Sequence, residues 1–322
     1  MKNRFEEFNF AVAVFILLFI SIIFSKTVYA QNEIIRIDTN LVTVPITVLD
    51  REGRYVTNLK KEDFQIFEDG VEQEVAVFEP IEQPFTVLLL LDISGSMTYH
   101  MAELTKAANV FVSQLRPDDQ ITAASFADNL YVLLKSTKVS EIRKNIKIQQ
   151  RSGDRYTRLY DAVHDALKII KKIRGRKAIV LFSDGGGDGT FASAKDNFRN
   201  AGEGDAVIYT VQFKNFLDAP PKEVNKQIFY KSIEEANNYM RDLAKITGGR
   251  GYQIENIADL EKTFAQIAKE LGQQYSLGYY PRQLEAGQKR QIRQIKVKMR
   301  QPNLAVRARD SYVVGNSKNV RK

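Results

Sequence analysis

The chain has 322 residues, carries a formal net charge of +8 at pH 7 and contains no cysteine. It can therefore form neither disulfide bonds nor a thiolate metal site, but a chain of this length can bury enough apolar surface to fold without them. Many of its basic residues lie in 168–177 and 289–309. Because no groove-reading or base-stacking motif accompanies them, we expect solvated basic faces, at most weak contact with an anionic envelope surface, and no nucleic-acid partner.

The first thirty residues have the three parts of a secretory signal peptide. Lys2 and Arg4 precede an apolar run over 10–24, and Val28 and Ala30 supply the small residues of a cleavage site. The run is shorter than the roughly 20 residues that span a bilayer, so a retained membrane anchor is the less favoured alternative. We predict cleavage after Ala30 and a mature protein that is exported, either periplasmic or secreted.

The next segment, residues 31–83, carries strand patterns only. Residues 41–49 alternate with a period of two, and 65–78 predict a hairpin around an Asp69-Gly70 turn. A sheet of so few strands is not stable alone. The segment therefore needs strand partners from elsewhere in the chain.

Residues 84–272 alternate strand and helix patterns, as a doubly wound α/β domain does. Continuous apolar runs predict buried strands, and apolar residues at helical spacing predict amphipathic helices. The predicted strands are 85–91, 120–126, 131–135 (a candidate antiparallel edge), 177–182, 206–213 and 251–254; the predicted helices are 100–114, 157–170, 192–200, 232–246 and 257–271. Residues 214–231 contain two prolines and little periodicity, which predicts an insertion loop.

Strand patterns return after residue 273, at 275–280, 291–299 and 304–309. We predict that the strands of 273–314 pair with the N-terminal segment in a small β-sandwich, and that 315–322 form a flexible tail. The predicted fold class is thus α/β, with a doubly wound, mostly parallel sheet and a flanking β-sandwich built from N- and C-terminal strands.

Three oxygen-bearing side chains follow the first buried strand of the α/β domain. Asp92, Ser94 and Ser96 occupy alternate residues directly after the apolar run 85–91. Open α/β sheets bind their ligands in the crevice outside the carboxyl ends of the strands. Carboxylate and hydroxyl oxygens suit a hard divalent cation, so this position predicts a metal site.

Two more oxygen donors are expected at the same edge. Thr157 opens an amphipathic helix, and Asp184 follows the buried strand 177–182. The order Asp-x-Ser-x-Ser, lone Thr, strand-end Asp resembles the von Willebrand factor type A family and its metal-ion-dependent adhesion site. The resemblance implies Mg²⁺, with Mn²⁺ or Ca²⁺ as alternatives. It also implies that the three hydroxyls contact the metal while the two aspartates act largely through bound water, with these residues as ligands: Asp92, Ser94, Ser96, Thr157 and Asp184.

The alternative interpretation needs no metal. In it, Ser96 and Thr157 are ordinary helix caps and Asp184 begins a glycine-rich loop. We favour the metal site because each residue stands next to a predicted buried strand or an amphipathic helix. The layout of the whole mature chain, including Val-Pro-Ile-Thr-Val at 44–48 and Leu-Gly-Tyr-Tyr-Pro at 277–281, resembles exported von Willebrand-type proteins of acidobacteria.

The serines do not suggest an enzyme. Ser94 and Ser96 lack the Gly-x-Ser-x-Gly spacing of a nucleophile elbow, and His100 and His164 stand in no recognisable triad motif. No Gly-Lys-Ser/Thr follows the glycines at 185–187. We therefore predict a non-catalytic binding module whose metal takes an acidic side chain from a protein partner. An envelope scaffold with a purely stabilising metal is the alternative, and a metal-dependent hydrolase is a distant third.

Overall fold

The computed structural model describes residues 41–154, 156–185, 190–214, 226–281 and 291–314. The predicted signal peptide over 1–30 and the predicted tail over 315–322 lie outside the described residues. Among the residues that are described, no helix is both long and apolar enough to cross a membrane.

The described residues form fourteen strands and five α-helices. The strands are β1 (Val42–Leu49), β2 (Phe64–Glu68), β3 (Val71–Gln73), β4 (Val77–Glu79), β5 (Thr86–Asp92), β6 (Gln120–Phe126), β7 (Leu130–Lys138), β8 (Lys177–Ser183), β9 (Val207–Phe213), β10 (Gly251–Ile254), β11 (Tyr275–Tyr279), β12 (Gln291–Met299), β13 (Ala305–Arg307) and β14 (Ser311–Val314). The helices are α1 (Met101–Gln114), α2 (Leu159–Lys171), α3 (Ala194–Glu203), α4 (Lys226–Ile246) and α5 (Asp259–Leu271). Short 3₁₀ turns span Lys61–Asp63, Gly95–His100 and Val139–Glu141.

A six-stranded sheet forms the centre of the α/β domain, in the order β10-β9-β8-β5-β6-β7. All neighbours are parallel except β7, which runs antiparallel to β6 at the edge. Every residue of β5 is buried. Helices α1 and α5 pack on one face and α2, α3 and α4 on the other, which explains why the central strands are continuous apolar runs.

Two four-stranded antiparallel sheets form the flanking sandwich, in the orders β13-β1-β11-β4 and β14-β12-β2-β3. Each sheet combines N-terminal with C-terminal strands: β1 pairs with β11 and β13, and β2 pairs with β12. One apolar core joins both sheets and includes Val44 and Ile66 from the N-terminal segment and Leu277 from the C-terminal one. The predicted fold class is confirmed.

The sandwich is attached at the amino ends of the parallel strands. The Arg176 guanidinium, just before β8, donates to the carbonyls of Ile81 and Gln83 in the N-terminal segment and of Leu271 at the end of α5. Burial lowers the pKa of Arg176 to about 10, with the charge of Arg116 as the next cause. The carboxyl ends of the parallel strands therefore lie at the opposite edge, away from this attachment.

Three local predictions need correction. The Asp69-Gly70 turn forms with φ values of 48° and 83°, as a type I′ hairpin requires, but the hairpin ends at Gln73 and β4 crosses to the other sheet. Helix α4 begins at Lys226 rather than residue 232, so part of the predicted insertion loop is helical, while 215–225 lie outside the described residues. Strand β14 was not predicted; it is held by pairing with β12.

Candidate metal site at the carboxyl ends of the parallel strands

The predicted site residues all lie at one edge of the central sheet. Asp92 is the last residue of β5, and Asp184 directly follows β8. These two strands are adjacent and parallel, with Leu91 opposite Phe182. The two aspartates therefore leave neighbouring strands side by side.

Thr157 reaches the same edge from the other side of β5. It lies in the loop before α2, and the next residue, Arg158, donates its backbone N–H to the Ala127 carbonyl at 3.0 Å. Ala127 directly follows β6, whose last residue, Phe126, is opposite Asp92. This backbone contact fixes the start of α2 at the end of the strand next to β5.

Asp92 is fully buried, with 0% of its surface exposed. Its Oδ1 accepts the Ser94 N–H at 2.9 Å, and its Oδ2 accepts the Ser183 hydroxyl at 2.6 Å. Burial, as the largest cause, and the negative charge of Asp184 together raise the pKa of Asp92 to about 7, although the hydrogen bonds from Ser183 and Ser94 lower it in part. Both of these donors are neutral, so a cation at this point would relieve the repulsion between two carboxylates.

The two serines present their hydroxyls together. The Ser94 Oγ and Ser96 Oγ atoms are 3.2 Å apart, with Ser94 buried and Ser96 exposed. The turn that carries them is anchored by buried Met97, whose N–H donates to the Ser94 carbonyl at 2.9 Å. The two hydroxyls thus lie together, one on a buried residue and the other on an exposed residue.

The helix-cap alternative does not describe these residues. The residue at the N-cap of the 3₁₀ turn is Ser94, which makes no side-chain capping bond, and the N-cap of α1 is His100. The N-cap of α2 is Arg158, not Thr157. The hydroxyls of Ser96 and Thr157 therefore do not occupy the positions that helix capping requires.

Ser183 is a site residue that the sequence analysis missed. Its hydroxyl donates to Asp92 and also accepts the Gly185 N–H at 3.0 Å, which orients Asp92 and shapes the turn after β8. Gly185 has φ +93°, and a Cβ there would stand 3.1 Å from the Gln212 side chain, so only glycine fits easily. A polar residue at the last, buried position of an apolar strand was the available signal.

The two histidines do not form a catalytic triad with these serines in the structure. The His100 ring packs edge-on against Phe213, with ring centroids 5.1 Å apart. The Nδ1 atom of His164, on α2, is buried and has no hydrogen-bond partner in the described part of the chain. Neither ring is thus held as a base against Ser94 or Ser96 by a described contact.

The donor chemistry fits a hard cation. Among the described residues, no three His, Cys, Asp or Glu side chains cluster as metal ligands, so a site of the imidazole or all-carboxylate class is not present there. The edge of the sheet instead combines two carboxylates with three hydroxyls. Such oxygen sets suit Mg²⁺, Mn²⁺ or Ca²⁺, and the residues that could hold one are Asp92, Ser94, Ser96, Thr157 and Asp184.

Part of the α/β domain matches a known family model. Residues 87–186 match the family model described as the von Willebrand factor type A domain. A UPF0353 protein of Mycobacterium leprae is 26% identical over 208 residues, which cover 58% of this chain and 60% of that protein. A UPF0353 protein of Mycobacterium tuberculosis is 25% identical with the same coverage. The chain thus matches less than two thirds of the length of these relatives.

The ArnB paralog VWA2 of Sulfolobus acidocaldarius superposes with a TM-score of 0.44 and 14% identity, covering 85% of this chain and 75% of that one. The relatives reported above are mycobacterial, so the acidobacterial resemblance stays a prediction. Residues 87–186, which include every predicted metal ligand, carry the sequence pattern of the von Willebrand factor type A domain family.

Proposed function

We propose that this protein is an exported, metal-dependent binding module. A divalent cation, Mg²⁺ in the first place, is held by Asp92, Ser94, Ser96, Thr157 and Asp184, and a protein partner supplies a carboxylate as a further ligand. One observation carries the proposal. The buried Asp92 carboxylate accepts the hydrogen bonds described above from Ser94 and Ser183, which are both neutral, and the negative charge of Asp184 lies beside it. A buried carboxylate normally has a positive partner, and here a bound cation would be that partner.

The ligand set favours recognition over turnover. Three of the five ligands are neutral hydroxyls, so the bound cation keeps much of its positive charge and attracts an acidic group. The protein's own residues would position the ion and leave a coordination position accessible through the exposed Ser96. Such a cation supplies electrostatic attraction for that acidic group.

Exposed aromatic side chains near the predicted ligands support a protein partner. Tyr99, in the turn after Ser96, is 90% exposed; Tyr156, next to Thr157, is 47% exposed; and Phe191, in the loop after β8, is 84% exposed. Exposed aromatic residues are enriched in protein interfaces. Because these aromatic residues lie beside the site, a protein partner that binds the metal would bury them in the same interface.

Export is the second part of the proposal. Val28 and Ala30 satisfy the small-residue rule for cleavage, and the mature protein would begin at Gln31. Intact-mass analysis of the protein exported by its native host tests this. Retention of residues 1–30 in the exported protein would show that this segment is a membrane anchor and not a cleaved signal peptide. The proposal of an exported protein of the acidobacterial type would then hold without cleavage.

Affinity capture from envelope extract tests the binding function. The mature protein should retain a partner in Mg²⁺, and EDTA should release it while circular dichroism shows an intact fold. Asp184→Ala should abolish capture, and Asp118→Ala, which removes an exposed carboxylate at the start of β6, should not. Capture that is equal in Mg²⁺ and EDTA would favour the scaffold function, in which the sandwich makes the contacts. Turnover of ester or phosphoester substrates that requires Asp92 would favour the hydrolase.

A further inference from the structure

A cavity of about 250 Å³ lies beside the predicted metal site. It is lined by the β6–β7 turn, the first two turns of α2 and the loop before α3. The side chains that give it chemical character are Asp128, Arg158, Asp161, His164, Asp165 and Phe191. Because Arg158 directly follows Thr157, one wall of this cavity begins next to a predicted metal ligand.

The acidic residues of the cavity are already engaged. The Asp161 carboxylate accepts the backbone N–H groups of Phe191, at 3.0 and 3.1 Å, and of Ala192, at 2.6 Å. Asp165 accepts from Lys168 at 3.3 Å, and Asp128 accepts the Tyr156 N–H. These carboxylates hold loops in place, and a cationic ligand would have to compete for them.

The cationic residue of the cavity has unused hydrogen-bonding capacity. The Arg158 guanidinium lies 4.8 Å from the centroid of the Phe191 ring and 5.9 Å from that of Tyr156. These rings orient it by cation–π contact but accept no conventional hydrogen bond. Its Nε atom is buried without a hydrogen-bond partner among the described residues. A carboxylate is the group that best matches an oriented guanidinium, because two parallel N–H···O bonds can form.

We propose that this cavity is a second subsite, centred on Arg158, that takes a second carboxylate of the same protein partner. This proposal rests on the proposed function, in which the metal takes the first carboxylate. Thr157 and Arg158 are consecutive, so one short acidic segment can contact both sites. The partner is therefore a segment with two acidic residues.

Binding of synthetic peptides to the full mature protein tests the subsite. The probes are Gly/Ser peptides with one central Asp, and matched peptides with a second Asp at increasing spacing, titrated calorimetrically in Mg²⁺ and in EDTA. At one spacing, the peptide with two Asp residues should bind about tenfold tighter than the single-Asp peptide. The reason is that a hydrogen bond between charged groups, here the second Asp and Arg158, typically contributes about that factor in affinity. Arg158→Gln should remove this gain and leave the single-Asp affinity unchanged.

Arg151 provides a matched control. It is an exposed arginine that also stacks on an aromatic ring, 4.9 Å from the centroid of Tyr131, but it does not line the cavity. Arg151→Gln should keep the full gain, and the melting temperatures of both variants should match the parent. Metal-dependent binding of the single-Asp peptide with no gain at any spacing would overturn the subsite and leave the metal function standing. Failure of every peptide to bind in Mg²⁺ would overturn both.

Discussion

Two buried carboxylates, one in each region of the molecule, are satisfied in opposite ways. Glu68, in the sandwich, is 4% exposed and accepts from the Arg293 guanidinium at 2.5 Å and from the hydroxyls of Tyr279 at 2.8 Å and Tyr312 at 2.7 Å. Asp92, in the α/β domain, is more deeply buried but accepts from a backbone N–H and a serine hydroxyl, with a second carboxylate as its charged neighbour.

We propose that this difference separates a structural carboxylate, Glu68, from a functional one, Asp92. Burying a charge is unfavourable unless it is paired, and the sandwich supplies that pairing from its own sequence. The same solution occurs at Glu270, which is buried and accepts from the Arg307 guanidinium and the Tyr209 hydroxyl. Asp92 departs from this rule, which is why we infer that its positive partner is a ligand.

Deleting residues 288–322 should have the largest effect on stability, because it removes the C-terminal strands of the sandwich and so disrupts one of the two regions. The deletion takes away β12, β13 and β14, including Arg293 and Tyr312, and exposes the apolar side chains of β1. We expect protease to remove residues 31–80 while a fragment near 84–272 survives. That fragment should melt at a lower temperature than the intact chain, since Glu270 loses Arg307. Equal protease resistance of the N-terminal segment in both proteins would show that it is independently stable.

Among the single substitutions, the loss of the paired carboxylate of Glu68 should reduce the free energy of unfolding most. Glu68→Gln breaks the buried ion pair between Glu68 and Arg293, and breaking a buried pair by removing one partner costs about 3–5 kcal/mol of unfolding free energy. Asp92→Asn, measured in EDTA, should be neutral or stabilising because it removes repulsion with Asp184. Urea unfolding of both variants in EDTA gives the two values. A loss for Asp92→Asn as large as that for Glu68→Gln would mean that Asp92 is structural.

Removing the carboxylate of Asp184, the neighbour of Asp92, should weaken the binding of the cation. Asp184→Ala is expected to reduce Mg²⁺ affinity about 10–100-fold, the usual effect of losing a group that holds a metal-bound water; Asp92→Ala should do the same or more. The parent should gain melting temperature with Mg²⁺ or Mn²⁺, since a ligand of the folded state stabilises it. A parent that responds to no divalent cation, in melts and in calorimetric titration, would refute the metal site.

Acidification should give the smallest of these effects. Because the pKa of Asp92 is raised to about 7, a proton competes with the metal below that pH, and Mg²⁺ affinity should fall about fivefold from pH 7 to pH 6. Above pH 7 the affinity should level off. Titrations at pH 6, 7 and 8 measure this directly. Constant affinity across the range would show that Asp92 stays ionised and that burial does not raise its pKa.

Much of the fold and of the site was predictable because it depends on local patterns. The apolar run ending at Asp92 and the one ending at Ser183 are buried strands in register, so the position of the two aspartates followed from parallel pairing alone. The Asp69-Gly70 turn was likewise predictable, since both residues adopt positive φ. The two apolar runs, the aspartates that follow them and the Asp-Gly turn can each be identified within a single segment of the chain.

What the sequence did not reveal depends on contacts between distant segments. The Ser183 hydroxyl matters because β8 lies beside Asp92, and the cavity at Arg158 exists because Asp161 binds the loop at Phe191. The crossing of β4 to the opposite sheet is set by its pairing with β11. No periodicity in a single segment carries this information.

The sandwich places Val42 opposite Tyr279 and Thr47 opposite Arg307, so the α/β domain is inserted into a loop of the sandwich. Strand β1 is synthesised first and finds its partners last. Closing so long a loop is entropically unfavourable until the α/β domain has formed and brought its two ends together. The α/β domain should therefore fold before the sandwich. The last step, in which the sandwich forms, should be slow because it joins residues that are far apart in the chain. During that interval the apolar β1 is an unpaired strand, and a delay in producing the C-terminal strands would leave it open to aggregation.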